Sequence, residues 1–312
     1  MLLGYLADVA FADPQRGHPV AGFGTVAAQL EKVTYRDSRG AGAVHTGVLL
    51  AALAIGATML ERAAGRRGRW SSVAAVAAAT WASLGGTSLA RTGMQMADHL
   101  DAGDIAAARA LLPSLCGRDP SMLDRDGLTR AALESIAENT SDAQVTPVLW
   151  AAIGGTPGVL VYRGINTLDA MIGHRSPRYA RFGWAAARID DVANYAGARM
   201  AGALVVVCAP AVGGSASGAL RAWLRDARKH PSPNAGVVEA AFAGALGVQL
   251  GGPTQYRHEL QIRPTLGDGP APAVAELRRS VALSQVVQLA AVVVAVGISA
   301  VGRSGRRVSA RR

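Results

Sequence analysis

The sequence predicts an all-α protein of the membrane: a polytopic integral membrane helical bundle with about five apolar helices, plus amphipathic helices that carry the polar motifs. Three observations predict it. Half of the 312 residues are hydrophobic and only 17% are charged, with mean hydropathy +0.21, a balance shifted away from that of water-soluble chains. Apolar stretches long enough for a hydrocarbon core of about 30 Å recur along the chain. Arginines border those stretches, and 30 of the 32 basic residues are Arg, the exceptions being Lys32 and Lys229. No internal repeat at a solenoid period and no low-complexity linker interrupts the pattern, so residues 1–312 read as one multi-pass domain.

In chain order, Met1 to Ala12 is apolar but carries Asp8 and lacks a basic leading segment, so it does not read as a cleaved signal peptide. Asp13-Pro-Gln-Arg-Gly-His18-Pro19-Val20 is a turn, in which His18 binds a phosphate, carries a proton or makes an ordinary turn hydrogen bond. Ala43–Leu60 and Ser72–Ala90 read as a helical hairpin whose Ala and Gly permit close approach. Its tip carries Arg62, Arg66, Arg67 and Arg69, which favours the cytoplasmic side. Arg91–Arg125 is polar and reads as short helices outside the bilayer. Val145–Ile165 is apolar but broken at Gly154-Gly155-Thr-Pro157-Gly158, as in a kinked or re-entrant helix. Met200–Gly218 and Val281–Val301 are further apolar segments, the latter followed by Arg303, Arg306, Arg307, Arg311 and Arg312, a tail expected in the cytoplasm. If every segment crosses, the polar motifs are split across the bilayer. A nucleotide-using site needs them together, which follows if Val145–Ile165 and Met200–Gly218 do not both span.

The net charge of +10 does not point to nucleic acid, because zinc-ligand spacing, an RNP-like box and a basic heptad are all missing and aromatics are 5%. The excess reads instead as membrane topology charge and as sites for anionic substrates. Cys116 and Cys208 form neither a disulfide framework nor a metal cluster by their spacing.

The polar motifs lie mainly between Asp126 and Asn194. Asp126 or Thr129 is positioned to cap a helix. Glu134 and Glu138 are four apart, so they share a helix face, where like charges repel by a few tenths of a kcal/mol. Asn139 and Asp142 extend the cluster. Arg163, Asn166 and Asp169 are spaced by three, and Asp190 and Asp191 fall four and three residues before Asn194. Oxygen ligands on helix faces suit Mg²⁺, a hard cation held by one or two carboxylates plus substrate phosphates. Solvated helix faces and buried structural ion pairs give the same pattern. Farther on, Ser232 or Asn234 would cap a helix containing Glu239, and Leu266-Gly-Asp268-Gly269 would form a tight turn.

Taken together, Asp13-Pro…His18-Pro19-Val20, Glu134-x-x-x-Glu138-Asn139-Thr140-x-Asp142, Tyr162-Arg163-x-x-Asn166-Thr-Leu-Asp169 and Phe182-Gly183…Arg188-x-Asp190-Asp191-x-x-Asn194, with His230-Pro-Ser-Pro-Asn234-x-Gly236…Glu239 and Leu-Gly-Gly-Pro253, resemble the cobalamin-biosynthesis family usually called CobD or CbiB. The similarity runs over nearly the whole chain in family order. Ala143 and Arg257-His258 stand where the family commonly has glycines. The resemblance implies an adenosylcobinamide-phosphate synthase of the cell membrane. Such an enzyme joins adenosylcobyric acid, a corrinoid, to (R)-1-aminopropan-2-ol or its O-phosphate, with Mg²⁺ and with ATP as co-substrate. Partner enzymes of the late cobalamin pathway are a further implication.

No G-x-x-x-x-G-K-[ST] loop is present, so phosphate binding falls to Arg163, Arg188 and helix N-termini. The expected metal ligands are Asp142, Asp190 and Asp191, with Glu134 and Glu138 as further candidates. Glu138, with Glu134 and Asn139, is the expected catalytic group, since an amine must lose its proton to attack. His18, Arg163, Asn166, Asp169, Arg188, Asn194, Asn234 and Glu239 are the expected substrate contacts. Two other classes fit the same polar residues: a transporter of a corrinoid or other anion, and a non-catalytic membrane scaffold.

Overall fold

Apolar helices dominate because the sequence alternates long uncharged stretches with short polar joints. A computed structural model describes residues 1–13, 17–174, 176–255 and 260–309. Its helices are α1 (Leu2–Phe11), α2 (Pro19–Thr34), α3 (Arg39–Arg67), α4 (Arg69–Ser83), α5 (Gly86–Asp101), α6 (Ile105–Leu111), α7 (Arg125–Thr140), α8 (Thr146–Leu168), α9 (Trp184–Cys208), α10 (Ala216–Asp226), α11 (Ala235–Leu246) and α12 (Val274–Ser309), with strands β1 (Leu250–Gln255) and β2 (Leu260–Leu266) before α12.

Five helical stretches are long and apolar enough to cross a membrane: Arg39–Arg67, Arg69–Asp101, Arg125–Gly173, Trp184–Val212 and Val274–Ala300. In the most apolar window of Arg39–Arg67 only 22% of residues are buried. Its outward face shows Val44, Val48, Ile55, Met59 and Leu60. A lipid solvent accepts such a face, and the chain is a multi-pass membrane protein.

The chain forms two compact units. The first is made of Met1–Gly85, Thr146–Asn194 and Val292–Arg312, the second of Gly86–Val145 and Tyr195–Ala291. In the first unit α3 and α4 form the expected hairpin, but its second arm ends at Ser83 rather than Ala90, and its tip is tighter than the sequence implied. Arg62, Arg66 and Arg67 belong to α3, and Gly68 alone turns the chain at φ 118°. The break in α8 sits at Gly155, φ 59° and ψ −143°. There the Thr156 N–H, which has lost its helical acceptor, donates to Glu61 Oε1 at 3.3 Å. A cleft of about 840 Å³ beside this break is lined by Glu61, Gly154, Gly155 and apolar side chains, and by none of the acidic motif residues.

A small core of Ala27, Leu49, Leu168, Ile172, Phe182 and Ala186 closes the other end of this unit. A Cβ on Gly183 would meet the Ile172 carbonyl, and one on Gly42 the Phe182 carbonyl. Backbone atoms cannot swing aside, so Gly183→Ala is expected to cost about 1–3 kcal/mol through overpacking. A lowered thermal midpoint of the detergent-solubilised variant checks it.

The second unit packs α5, α7, α10, α11 and the first half of α12 around Leu128, Leu133, Ile136, Phe242, Leu277 and Val281. Two features depart from expectation. Asp124, not Asp126 or Thr129, caps α7, accepting from the Gly127 N–H at 2.8 Å. The stretch around Gly251-Gly252-Pro253 forms an antiparallel hairpin, with Leu250 opposite Leu266, Gly252 opposite Arg263, and a bulge between them. Arg257 and His258 lie outside the described residues, as do Arg311 and Arg312 of the tail and Pro14 to Arg16 of the first turn.

The Leu266–Gly269 turn forms as expected. The Gly267 N–H donates to Asp226 Oδ2 at 2.9 Å, while Lys229 donates to Oδ1 at 2.7 Å and Arg225 to both oxygens. The Arg225 hydrogen bonds, partly offset by burial, hold the Asp226 carboxyl below its ordinary range. Its folded pKa is depressed, so its contribution is present above pH 3.8 and lost as pH falls below it.

Candidate functional site

Each unit carries one polar centre, and both are built from the motif residues. In the first unit, α8 runs into a π-helical turn, Asp169–Gly173, and α9 begins beyond it. Such a turn adds a residue to the helical repeat and is common at functional positions. A Cβ on Gly173 would strike the Asp169 carboxylate. Tyr162 of α8 donates to Asn194 Oδ1 at 2.7 Å, and Trp150 to the Ala193 carbonyl at 3.0 Å. These bonds fix the face of α9 that points at α8. Asp190, one turn before Asn194, is buried. Asp169 is the charge that bears on it most strongly, and the Asn166 and Asn194 amides flank it. Among the described residues no hydrogen bond reaches Asp190 Oδ1 or Asn194 Nδ2.

The neighbouring motif residues take other roles. Arg163 Nη1 donates to Asn166 Oδ1 at 3.2 Å. Asp191 points away from Asp190, as adjacent helical residues must, and pairs with the exposed Arg188 at 3.4 Å. His18 caps α2, its Nδ1 accepting from the Val20 N–H at 3.1 Å, which is the ordinary turn role. Asp142 lies in a second π-helical turn, Ser141–Val145, in the second unit.

In the second unit, Glu134 and Glu138 do share a face of α7, but their surroundings differ. Glu134 is 1% exposed, with Oε2 paired to Arg118 and Oε1 accepting from the Gly251 N–H at 2.7 Å. Burial alone would lower the Arg118 pKa, but the charge of Glu134 outweighs it and keeps the guanidinium ionised. Glu138 is exposed. Asn139 donates to the Ser135 carbonyl at 2.9 Å, and Ser135 to the Leu115 carbonyl at 2.6 Å.

Glu239 on α11 is 1% exposed, and among the described residues neither of its oxygens has a hydrogen bond. Arg263 of β2 lies 3.8 Å from Oε1 and His230 3.9 Å from Oε2. Glu134 and Glu138 are its nearest like charges. Asn234 occupies the cap position of α11, but its side chain is taken by Arg199 at 2.6 Å. Ser232 does the capping, accepting from the Ala235 N–H at 3.2 Å.

The structure thus brings Glu134, Glu138 and Glu239 together in one unit, and Asn166, Asp169, Asp190 and Asn194 in the other. Arg118, Arg263 and the role of His230 were not found from sequence. Their glutamate partners lie 9 to 24 residues away in the chain (His230 to Glu239, Arg118 to Glu134, Glu239 to Arg263) and on separate elements, so no helical period links them; only the His230-Pro-Ser-Pro motif carried a signal.

Burial, then the charges of Glu134 and Glu138, push the Glu239 carboxyl well above its ordinary 4.5. Burial, then Arg263, push His230 from 6.5 down to about 4. Unfolded His230 takes a proton below 6.5 that the folded ring refuses until about 4, so its contribution to stability falls as pH falls. Glu239 acts oppositely: folded, it keeps a proton that the unfolded chain releases above 4.5, so its contribution falls as pH rises. Each slope is limited to about 1.4 kcal/mol per pH unit. Between pH 4.5 and 6.5 these two slopes oppose each other in the wild-type thermal midpoint. That of Glu239→Gln should rise with pH and that of His230→Gln should fall, as thermal unfolding in detergent would read.

Among the described residues no group of three or more His, Cys, Asp or Glu side chains is arranged to hold a metal ion. The donor set at Asp190 nevertheless fits Mg²⁺ as part of a shell. Two carboxylates and two amides meet there, one carboxylate oxygen has no hydrogen bond among the described residues, and water or phosphate oxygens would supply the remaining ligands.

A family model described as CobD/Cbib protein matches residues 1–284. The cobalamin biosynthesis protein CobD of Mycobacterium tuberculosis strain H37Rv is 68% identical over 296 residues, covering 95% of this chain and 94% of its own. Proteins of the same name are 42% identical in Geobacter metallireducens, over 86% of each chain, and 42% identical in Rhodobacter capsulatus, over 86% of this chain and 84% of the relative. No solved structure matches the chain.

Proposed function

The chain belongs to the CobD/Cbib family and acts in cobalamin biosynthesis as a multi-pass membrane protein, and on that premise we propose that it is a ligase forming a carbon–nitrogen bond. Its reaction joins a carboxyl group of adenosylcobyric acid to (R)-1-aminopropan-2-ol or its O-phosphate, with ATP and Mg²⁺. The observation that carries the reading is the family match, together with the burial of Glu134, Asp190 and Glu239 in two polar centres.

A carboxylate does not acylate an amine at neutral pH, because oxide is a poor leaving group. Transfer of the ATP γ-phosphoryl to the carboxyl oxygen gives an acyl phosphate and ADP. The neutral amine then attacks the acyl carbon, phosphate departs with the former carboxyl oxygen, and the amine gives up a proton. Bound Mg²⁺ supplies charge neutralisation for the phosphates. Asp190 and Asp169 would hold it, with Asn166 and Asn194 orienting that pair. Arg163 and Arg188 supply cationic donors for phosphate. Glu138, exposed and unencumbered by the Arg118 pair, is the carboxylate suited to take the amine proton. Glu134 serves it by holding the fold.

The Arg-rich hairpin tip and tail favour the cytoplasm for those ends, where ATP is available. The test uses purified full-length chain, in detergent and in sealed vesicles, given adenosylcobyric acid, the amine phosphate, ATP and Mg²⁺. Amide product in detergent supports the ligase. Corrinoid uptake into vesicles without any product would replace it with a transporter.

A further inference from the structure

In a buried centre containing two arginines, Glu239 keeps both carboxylate oxygens without a hydrogen bond among the described residues, although it is only 1% exposed. Carboxylates so buried normally accept several donors, and leaving one bare costs the full desolvation of its acceptors. The missing donors are therefore expected from a ligand.

Its neighbours narrow the chemistry. Arg118 is committed to Glu134, whose other oxygen is taken by the Gly251 N–H. Arg263, 18% exposed, stands 3.8 Å from one Glu239 oxygen, and exposed Glu138 is a further like charge on Glu239. The centre has a carboxylate at its buried end, with a second carboxylate and a guanidinium nearer its surface. A divalent metal suits it poorly, since two guanidinium groups interact with Glu239 and no three acids are arranged as ligands among the described residues. An ammonium suits it well: it carries three donors and no acceptor, and its charge offsets the burial and the like charges of Glu134 and Glu138 that otherwise hold the Glu239 carboxyl protonated. A corrin ring is too large to reach a side chain this buried.

We propose that Glu239, Glu138 and Arg263 form the recognition site for the small amine, with the ammonium on the two glutamates and an anionic substituent of the amine on Arg263. This rests on the amide-forming reading and assigns one of its two organic reactants to particular residues. On this assignment Arg263 gives the phosphate of an O-phosphorylated amine a partner, which a free hydroxyl does not need.

The experiment is calorimetric binding to the full-length detergent-solubilised chain, with and without adenosylcobyric acid and a non-hydrolysable ATP analogue. The probes are 1-aminopropan-2-ol, its O-phosphate, isopropyl phosphate and Mg²⁺ alone. Glu239→Gln is expected to weaken both amines at least tenfold and to leave isopropyl phosphate and Mg²⁺ unchanged. Arg263→Gln should weaken the two phosphates at least tenfold and spare the free amino alcohol. Glu239→Asp, which keeps the charge one methylene farther back, should raise the KM for amine more than it lowers kcat, and it serves if the Gln variant does not fold. Wild-type amine affinity in Glu239→Gln, or loss of Mg²⁺ binding with amine binding kept, overturns the assignment. A wild-type chain that binds neither amine under any of these conditions overturns the amide-forming reading itself.

Discussion

Asp190→Asn is expected to lower amide synthesis by roughly 10²–10³-fold, the loss typical when one preorganised charge is removed from a reacting phosphoryl or acyl group. The substitution is nearly isosteric. It replaces a buried carboxylate that faces Asp169 and has an open oxygen, so the helix pair held by Tyr162–Asn194 and Trp150–Ala193 should persist. Removing one of two like charges there relieves repulsion, and the variant should be at least as heat-stable as wild type. Product measured by mass spectrometry, beside the thermal midpoint, checks both halves. A scaffold predicts unchanged cobalamin output instead, and a structural role for Asp190 predicts activity and stability falling together.

Glu134→Gln should destabilise the chain by about 3–5 kcal/mol, because it leaves the Arg118 guanidinium buried without its counter-charge. The Gly251 N–H retains an acceptor in the amide oxygen, so the loss comes from the charge. Glu138→Gln, one helical turn away and exposed, should stay within about 0.5 kcal/mol of wild type, as surface substitutions do, while losing roughly 10²-fold or more in turnover as the proton acceptor. Thermal unfolding and single-turnover rates on the two variants separate two glutamates that the sequence presents as equivalent. Equal stability of the two variants would show that the Arg118 pair does not hold the unit together.

The equivalence of those glutamates illustrates what was legible in the sequence. Helical spacing correctly placed Glu134 and Glu138 on one face, and Asp190 beside Asn194, because both follow from the 3.6-residue period alone. The hydrophobic runs likewise announced the membrane helices and the break at Gly155. What divides Glu134 from Glu138 is Arg118, 16 residues earlier, and the Gly251 N–H, 117 residues later. Such partners meet only through tertiary packing.

The β1–β2 hairpin escaped notice for a local reason. Gly251, Gly252 and Pro253 are residues that strands ordinarily avoid. Gly251 and Gly252 take positive φ at the bulge, where a side chain would be strained. Spacing to Asn194 groups Asp191 with Asp190 as expected metal ligands, yet neighbouring helical residues diverge by about 100°, and Asp191 instead meets Arg188.

ADP release by the purified chain tests the central claim most directly. With Mg²⁺, adenosylcobyric acid and the amine phosphate all present, one ADP is expected for each amide formed, and omission of the corrinoid should abolish both. ADP released at the same rate without the corrinoid, or no amide when every reactant is saturating, would contradict it.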